Sequence, residues 1–237
     1  MKITNDIIES YFDCKLKSYL KRKGEQGQVN QIEDHYRSKL QRYREQVFQE
    51  RFATPLRDGH AQIQSLSTFK LTDAIYNVRV NSEHFDLFCD VLIKKRVKGK
   101  LVLVPVLVLP TETIEQKYKI LISFIATELS RLLNCSIEYS EIIYSTKMMS
   151  KKIYLDRYSK HVRAISLSME DQNSPFFYLN AHCSICEFQT TCRERAKASD
   201  HLSQLRGIGA EKIKKIESKR NLYGKSAIIY FSSEKKA

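Results

Sequence analysis

The 237-residue chain has no tryptophan, seven glycines and four prolines. So little glycine and proline excludes collagen-like repeats and proline-rich linkers. A membrane span is missing too: the most apolar run, Leu101 to Pro110, falls far short of the ~20 residues a crossing helix needs. Asp6, Glu9 and Asp13 interrupt the first helical stretch, so it is no signal peptide. These absences predict an intracellular, cytoplasmic protein with no membrane partner. Acidic residues are scarce, 27 against 40 lysines and arginines, for a formal net charge of +13. That excess favours nucleic acid or another polyanion. Six cysteines are too few for a disulfide scaffold at this length.

What the chain does have is enough apolar content, 42%, to bury a core without staples, which excludes a disordered tail. Residues 4–21 read as a helix with Ile7, Ile8, Tyr11, Phe12, Leu16 and Tyr19 on one face. A polar loop over 21–30 carries Gly24 and Gly27. Helical spacing resumes over 31–53 with Ile32, Tyr36, Leu40, Tyr43 and Val47, and Arg42, Arg44 and Arg51 are assigned to solvent. Residues 65–71, 74–80 and 85–94 read as strands. The run LVLVPVLVL, 101–109, reads as a central strand covered on both faces, with Pro105 implying a bulge or an edge. An amphipathic helix then runs to about Leu133, with Thr113 as N-cap and Gln116 three on. Strands are expected over 136–144 and 162–169, with a helix over 150–159 between them. The succession suits an α/β domain with a mixed sheet.

Cys183, Cys186 and Cys192, in the spacing C-x2-C-x5-C, set three soft donors within ten residues. Thiolates of that kind bind iron or zinc, and a tetrahedral site or a four-iron cluster needs a fourth ligand. Cys14, in the polar context DCKLKSY, is the candidate, and His182 is the alternative. A ligand at Cys14 would clamp the first helix to the C-terminal segment and turn metal binding into folding free energy. The composition leaves iron–sulfur and zinc both open. Cys89 and Cys135, in apolar surroundings, are read as packing residues.

One cysteine near the N-terminus followed by C-x2-C-x5-C at the far end resembles the iron–sulfur RecB-like nucleases of the PD-(D/E)XK superfamily. These include the CRISPR-adaptation exonuclease and the nuclease domain of the second AddAB subunit. The chain is similar to a bacterial RecB-like family at FDCKLKSYLK (12–21), FCDVLIK (88–94), LVLVPVLV (101–108), LNAHCSICEFQTTC (179–192) and LSQLRGIG (202–209). The resemblance spans nearly the whole chain, and its cysteine pattern is the specific part. It implies a restriction-endonuclease-like core, N-terminal helices, and a [4Fe-4S] cluster on Cys14, Cys183, Cys186 and Cys192, with zinc as the alternative in that site. It implies a role in DNA processing or repair on single strands or duplex ends. Family members usually continue into an RNase H-like domain, so a helicase or such a domain is an expected partner, and this chain is expected to be a fragment or a short member.

Nucleases of that fold place carboxylates around Mg²⁺ or Mn²⁺, with a lysine near the attacking water. Asp90 fits the first carboxylate, because an acid amid the apolar run FDLFCDVLIKK is costly unless paired or metal-bound. A carboxylate bonded to local backbone is the plainer reading, and Asp86 is the competitor, read as a strand-end residue. Where Glu-x-Lys is expected next, the chain has Pro105, Val106 and Leu107, none of which holds a metal or activates water. Glu112 and Glu115 come later. Gln116, Lys117, Tyr118 and Lys119 are candidates to line the same cleft. His35, beside Glu33, stands where active relatives carry a histidine on an early helix, or is a surface residue.

From Arg193 to Arg220 there are nine basic residues and four acidic ones. LRGIGAEKIKKI resembles the hairpin of a helix-hairpin-helix element. Gly207 and Gly209 allow a tight turn, and Lys212, Lys214 and Lys215 add sequence-independent attraction for phosphates. Lys94, Lys95, Arg96, Lys98 and Lys100 form a second basic run at an expected hairpin tip. The expected organisation is a RecB-like domain over 1–198 and a basic tail over 199–237. Its function is DNA processing, with Asp90 and His35 as catalytic candidates and an incomplete Glu-x-Lys motif. The rival reading is a non-catalytic module that binds DNA or a partner through the same scaffold.

Overall fold

The computed structural model describes residues 1–28, 31–52, 61–62, 74–97, 100–205 and 207–223. The chain divides into two compact units, Met1–Pro175 and Phe176–Ala237. Cys183, Cys186 and Cys192 lie in the second of these.

The first unit holds seven described strands in one mixed sheet. They are β1 (Ile3–Thr4), β2 (Ala61–Gln62), β3 (Ala74–Asn81), β4 (Phe85–Val97), β5 (Lys100–Leu109), β6 (Tyr139–Tyr144) and β7 (Met149–Tyr154). The order is β2-β3-β4-β5-β6-β7, with β1 added to β4. β3, β4 and β5 form an antiparallel meander, β6 runs parallel to β5, and β7 returns antiparallel. The parallel step needs a crossover, which α4 (Gln116–Leu132) supplies. Helices α1 (Asn5–Asp13), α2 (Lys15–Arg22), α3 (Gln31–Phe52) and α5 (Ser159–Glu170) complete the unit. This is the mixed α/β class expected, and its order of helix, three strands, helix, strand is compatible with a restriction-endonuclease-like core.

The sheet has a core on each face. One gathers Ile7, Ile8, Leu87, Cys89, Leu107, Ile122, Phe124, Ile125 and Leu129 beneath α1 and α4. The other gathers Val47 and Phe48 of α3 against Val91, Val106, Val108 and Ile143. β5 is therefore covered on both sides, as its unbroken apolar run requires. Pro105 sits where β5 is still an edge on its β6 side, one of the two outcomes expected. It registers with Leu92 on β4, and the β6 ladder begins one residue later at Val106, so its missing N–H falls before that pairing.

Four expected elements differ. The first helix is two, separated at Cys14, whose backbone is extended at φ −162° and ψ 118°. The 150–159 segment is β7 followed by a short 3-10 turn, not a helix, and 162–169 lies within α5, not in a strand. Only Val162, Ile165 and Met169 of α5 are buried, a spacing of three and four that is helical. α4 starts later than expected, with Glu115 and not Thr113 at its N-cap. The expected strand over 65–71 and the tip residues Lys98 and Gly99 lie outside the described residues.

The second unit contains a 3-10 turn (Ala181–Ile185), α6 (Gln189–Ala198), a second 3-10 turn (Leu202–Gln204) and α7 (Ala210–Tyr223). Among the described residues no helix is long and apolar enough to cross a membrane.

Candidate functional site

On its β5 side, β4 has backbone partners at both ends and a gap between them. β1 pairs with Phe85 and Asp86, and β5 pairs from Val91 onward. Side chains fill the interval. Asn5 Nδ2 donates to the Phe88 carbonyl at 2.8 Å while Phe88 N–H donates to Asn5 Oδ1 at 2.9 Å. Val108 N–H, on β5, donates to Asp90 Oδ2 at 2.7 Å. Asp90 thus occupies the ladder position that β4 gives up. A buried backbone donor left without an acceptor is expensive, which accounts for an acid in this strand.

Asp90 is fully buried. Its other oxygen, Oδ1, lies 2.5 Å from Arg44 Nε of α3. The contact is a buried ion pair. The Arg44 guanidinium also sits 5.2 Å over the Phe88 ring, which fixes its plane. Burial raises the Asp90 carboxyl above its ordinary value, and Arg44 and the Val108 N–H pull it back.

Around this pair is a polar neighbourhood built from three helices. Asn5 and Glu9 lie one turn apart on α1, so the anchoring of Asn5 to Phe88 also places Glu9. The protein surrounds the Glu9 carboxyl closely enough that desolvation pushes it up to about 7, against Lys117 and Arg44 and with help from Asp6 and Asp13. Tyr36 of α3 and Tyr118 of α4 share a hydroxyl–hydroxyl hydrogen bond of 3.1 Å, and burial raises both phenols. Lys117 reaches Asp13 at 3.6 Å and Glu115 at 3.5 Å.

The sequence-derived candidates distribute unevenly over this geometry. Asp90 pairs with Arg44, while Lys117 and Tyr118 gather with Glu9 and Tyr36. His35 is exposed on α3, while its neighbour Tyr36 and, two turns on, Arg44 point inward. The assignment of Arg44 to solvent is corrected, since it pairs with Asp90, whereas Arg51 is exposed as expected and its Nη1 donates to the Met148 carbonyl at 2.8 Å. Asp86 is held by Arg79 through two contacts of 2.6 Å and takes no part. Glu112 accepts from Thr146 N–H at 3.1 Å. Lys95, from the second basic run, pairs with Glu141 at 2.9 Å. Arg44, Glu9 and Tyr36 are the residues that sequence reasoning missed. A signal existed for Arg44, which sits midway between Leu40 and Phe48 on the apolar stripe of α3.

These residues do not fit a Mg²⁺ or Mn²⁺ ion. A hard cation wants several oxygen ligands. Asp90 offers one carboxylate, with one oxygen on a backbone N–H and the other against a guanidinium. On β5, Pro105, Val106 and Leu107 are buried apolar residues facing the cores. Arg44 supplies the positive charge that the buried carboxylate needs.

In the second unit, Cys183 lies in the 3-10 turn, where Asn180 N–H donates to its Sγ at 3.3 Å and the thiol is 3.4 Å from Asn180 Oδ1. The Cys186 carbonyl accepts from Gln189 N–H at the entry to α6, and Cys192 follows in α6. All three are half-buried, as is Cys14 in the first unit. Among the described residues, no three His, Cys, Asp or Glu side chains are gathered to hold a metal ion. The donor set itself remains soft and thiol-rich. Gly207 turns the chain before α7 at φ +78°, a conformation that favours glycine. Lys212, Lys214 and Lys215 are exposed on α7.

No family model and no curated protein matches the chain. Among solved structures it is similar to the crystal structure of SSO0001, at 16% identity, covering 81% of this chain and 86% of that chain with a TM-score of 0.42.

Proposed function

We propose that this chain binds DNA without cleaving it, on a RecB-like scaffold whose catalytic cation position is taken by an arginine. The observation that carries the reading is the ion pair between Arg44 and Asp90, 2.5 Å apart with Asp90 fully buried. Phosphodiester hydrolysis needs carboxylates available to a metal, and this one is committed to a backbone N–H and a guanidinium. The formal charge of +13 and the nine basic residues between Arg193 and Arg220 support a polyanionic ligand. The thiols of Cys183, Cys186 and Cys192 suit a structural iron–sulfur cluster or zinc in the second unit. Bound there, the metal adds folding free energy. A role within a larger DNA-processing assembly, alongside a helicase or an RNase H-like domain, follows from the same resemblance.

Fluorescence anisotropy with labelled DNA over a salt series tests the ligand class. The expected result is binding whose log affinity falls linearly with log salt, the mark of counterion release. Absence of binding at low salt contradicts the proposal. Iron, sulfide and zinc content of protein purified without oxygen tests the thiol site, and Cys183→Ser is expected to lower whichever metal is found.

A further inference from the structure

The C-terminal unit contains an open cleft of about 710 Å³, within the ~300–1,000 Å³ volume range of ligand sites. Residues 178–181, just before the clustered cysteines, form one wall. Ser203, Gln204, Leu205 and the turn at Gly207–Gly209 form the other. We propose that this cleft receives one nucleotide of a single-stranded nucleic acid, with its base against the Tyr178 ring. The inference rests on the DNA-binding reading above and assigns it a site and a strand state.

Four features support it. Tyr178, which lines the cleft, lies nearly parallel to Phe176, ring centroids 6.3 Å apart at 24°. Such aromatic platforms hold bases of any identity, because every base has a π-face. Leu205, opposite, is 57% exposed, an apolar side chain left at the cleft mouth. No atom lies within 4 Å of where a side chain would begin at Gly207 or Gly209, so a ligand can reach the turn backbone there. The neighbouring helix α7 adds positive charge: Lys214 Nζ, paired with Glu211 at 3.2 Å, stands 5.4 Å from the Phe176 ring, and Lys212 and Lys215 are exposed on the same helix. An apolar peptide would use the same wall but has no need of the lysines. A base within a duplex is already stacked and paired, and must be extruded before it can enter. A single strand enters at no such cost.

The test uses the full chain and an oligothymidylate carrying one 2-aminopurine, alongside a duplex of equal length. The wild-type protein is expected to bind the single strand more tightly than the duplex and to change the 2-aminopurine fluorescence on binding. Tyr178→Ala is expected to weaken single-strand binding on the order of tenfold and to leave the salt slope unchanged, while Tyr178→Phe keeps wild-type affinity. An abasic strand, tested on the wild-type protein, is expected to bind like the normal strand on Tyr178→Ala, which keeps the test independent of how that variant folds. If neither single strand nor duplex binds at low salt, the DNA-binding reading fails and this proposal with it. If DNA binds with normal salt dependence but abasic and normal strands bind alike, the cleft assignment alone is overturned.

Discussion

At the scale of single residues, the decisive contact is that of Arg44 with Asp90. Removing one member of a buried pair leaves the other charge uncompensated, at a cost of about 3–5 kcal/mol. Arg44→Ala is therefore expected to destabilise the protein by about that much in urea unfolding. Adding Asp90→Asn to Arg44→Ala should recover most of the loss, since an amide oxygen can still accept from Val108 N–H. An Arg44→Ala variant within about 1 kcal/mol of wild type would mean the pair is not what holds Asp90. Glu9 makes a second prediction. Its carboxyl is raised from 4.5 to about 7 in the folded state. Between those values the folded protein holds a proton that the unfolded chain releases, so Glu9 lowers stability as pH rises through that window. Glu9→Gln is expected to flatten the stability profile and to be more stable than wild type at pH 8 by on the order of 1–3 kcal/mol. An unchanged slope would place Glu9 in ordinary solvent. The sequence pointed to Asp90 because an acid is conspicuous in an apolar strand. It hid Arg44, because a charge on a charged helix reads as surface until the opposite partner is known.

At the scale of elements, β3 and β4 bend around Asp90. The register runs from Tyr76 opposite Val91 to Val78 opposite Cys89, which sets Asn77 across from Asp90. Asn77 has φ +53°, a left-handed conformation that asparagine tolerates and β-branched residues resist. Tyr76 and Val91 accordingly meet the α3 side, while Val78 and Cys89 meet the α4 side. Asn77→Gly is expected to be tolerated, and Asn77→Val to cost about 1–2 kcal/mol, read from urea midpoints. Equal stability of the two variants would remove the backbone argument. Most elements were legible from periodicity, including β3, β4, β5, α3 and α4. The exception is informative: Val162 to Met169 mixes small and apolar residues closely enough to imitate alternation. Only the burial of Val162, Ile165 and Met169 against the α4 side of the sheet selects the helix. The break at Cys14 left no trace in the apolar stripe, because the spacing on either side continues the same face.

At the scale of the whole molecule, the α/β class and mixed sheet followed from the order of elements. The segment from Arg193 to Arg220 carries a net +5 of the +13, in the unit that also carries the clustered thiols. The first unit holds Asp90 in a buried ion pair, and both units carry net positive charge. On the proposed function, a buried ion pair stands where cleavage chemistry would need a free carboxylate, and binding rests on attraction for phosphates. The measurement that tests this most directly is a cleavage assay on end-labelled single-stranded and duplex DNA with Mg²⁺ or Mn²⁺, run on wild type and Asp90→Asn side by side. The account predicts intact substrate with both proteins under conditions where wild type binds the DNA. Cleavage by wild type that Asp90→Asn abolishes would contradict it.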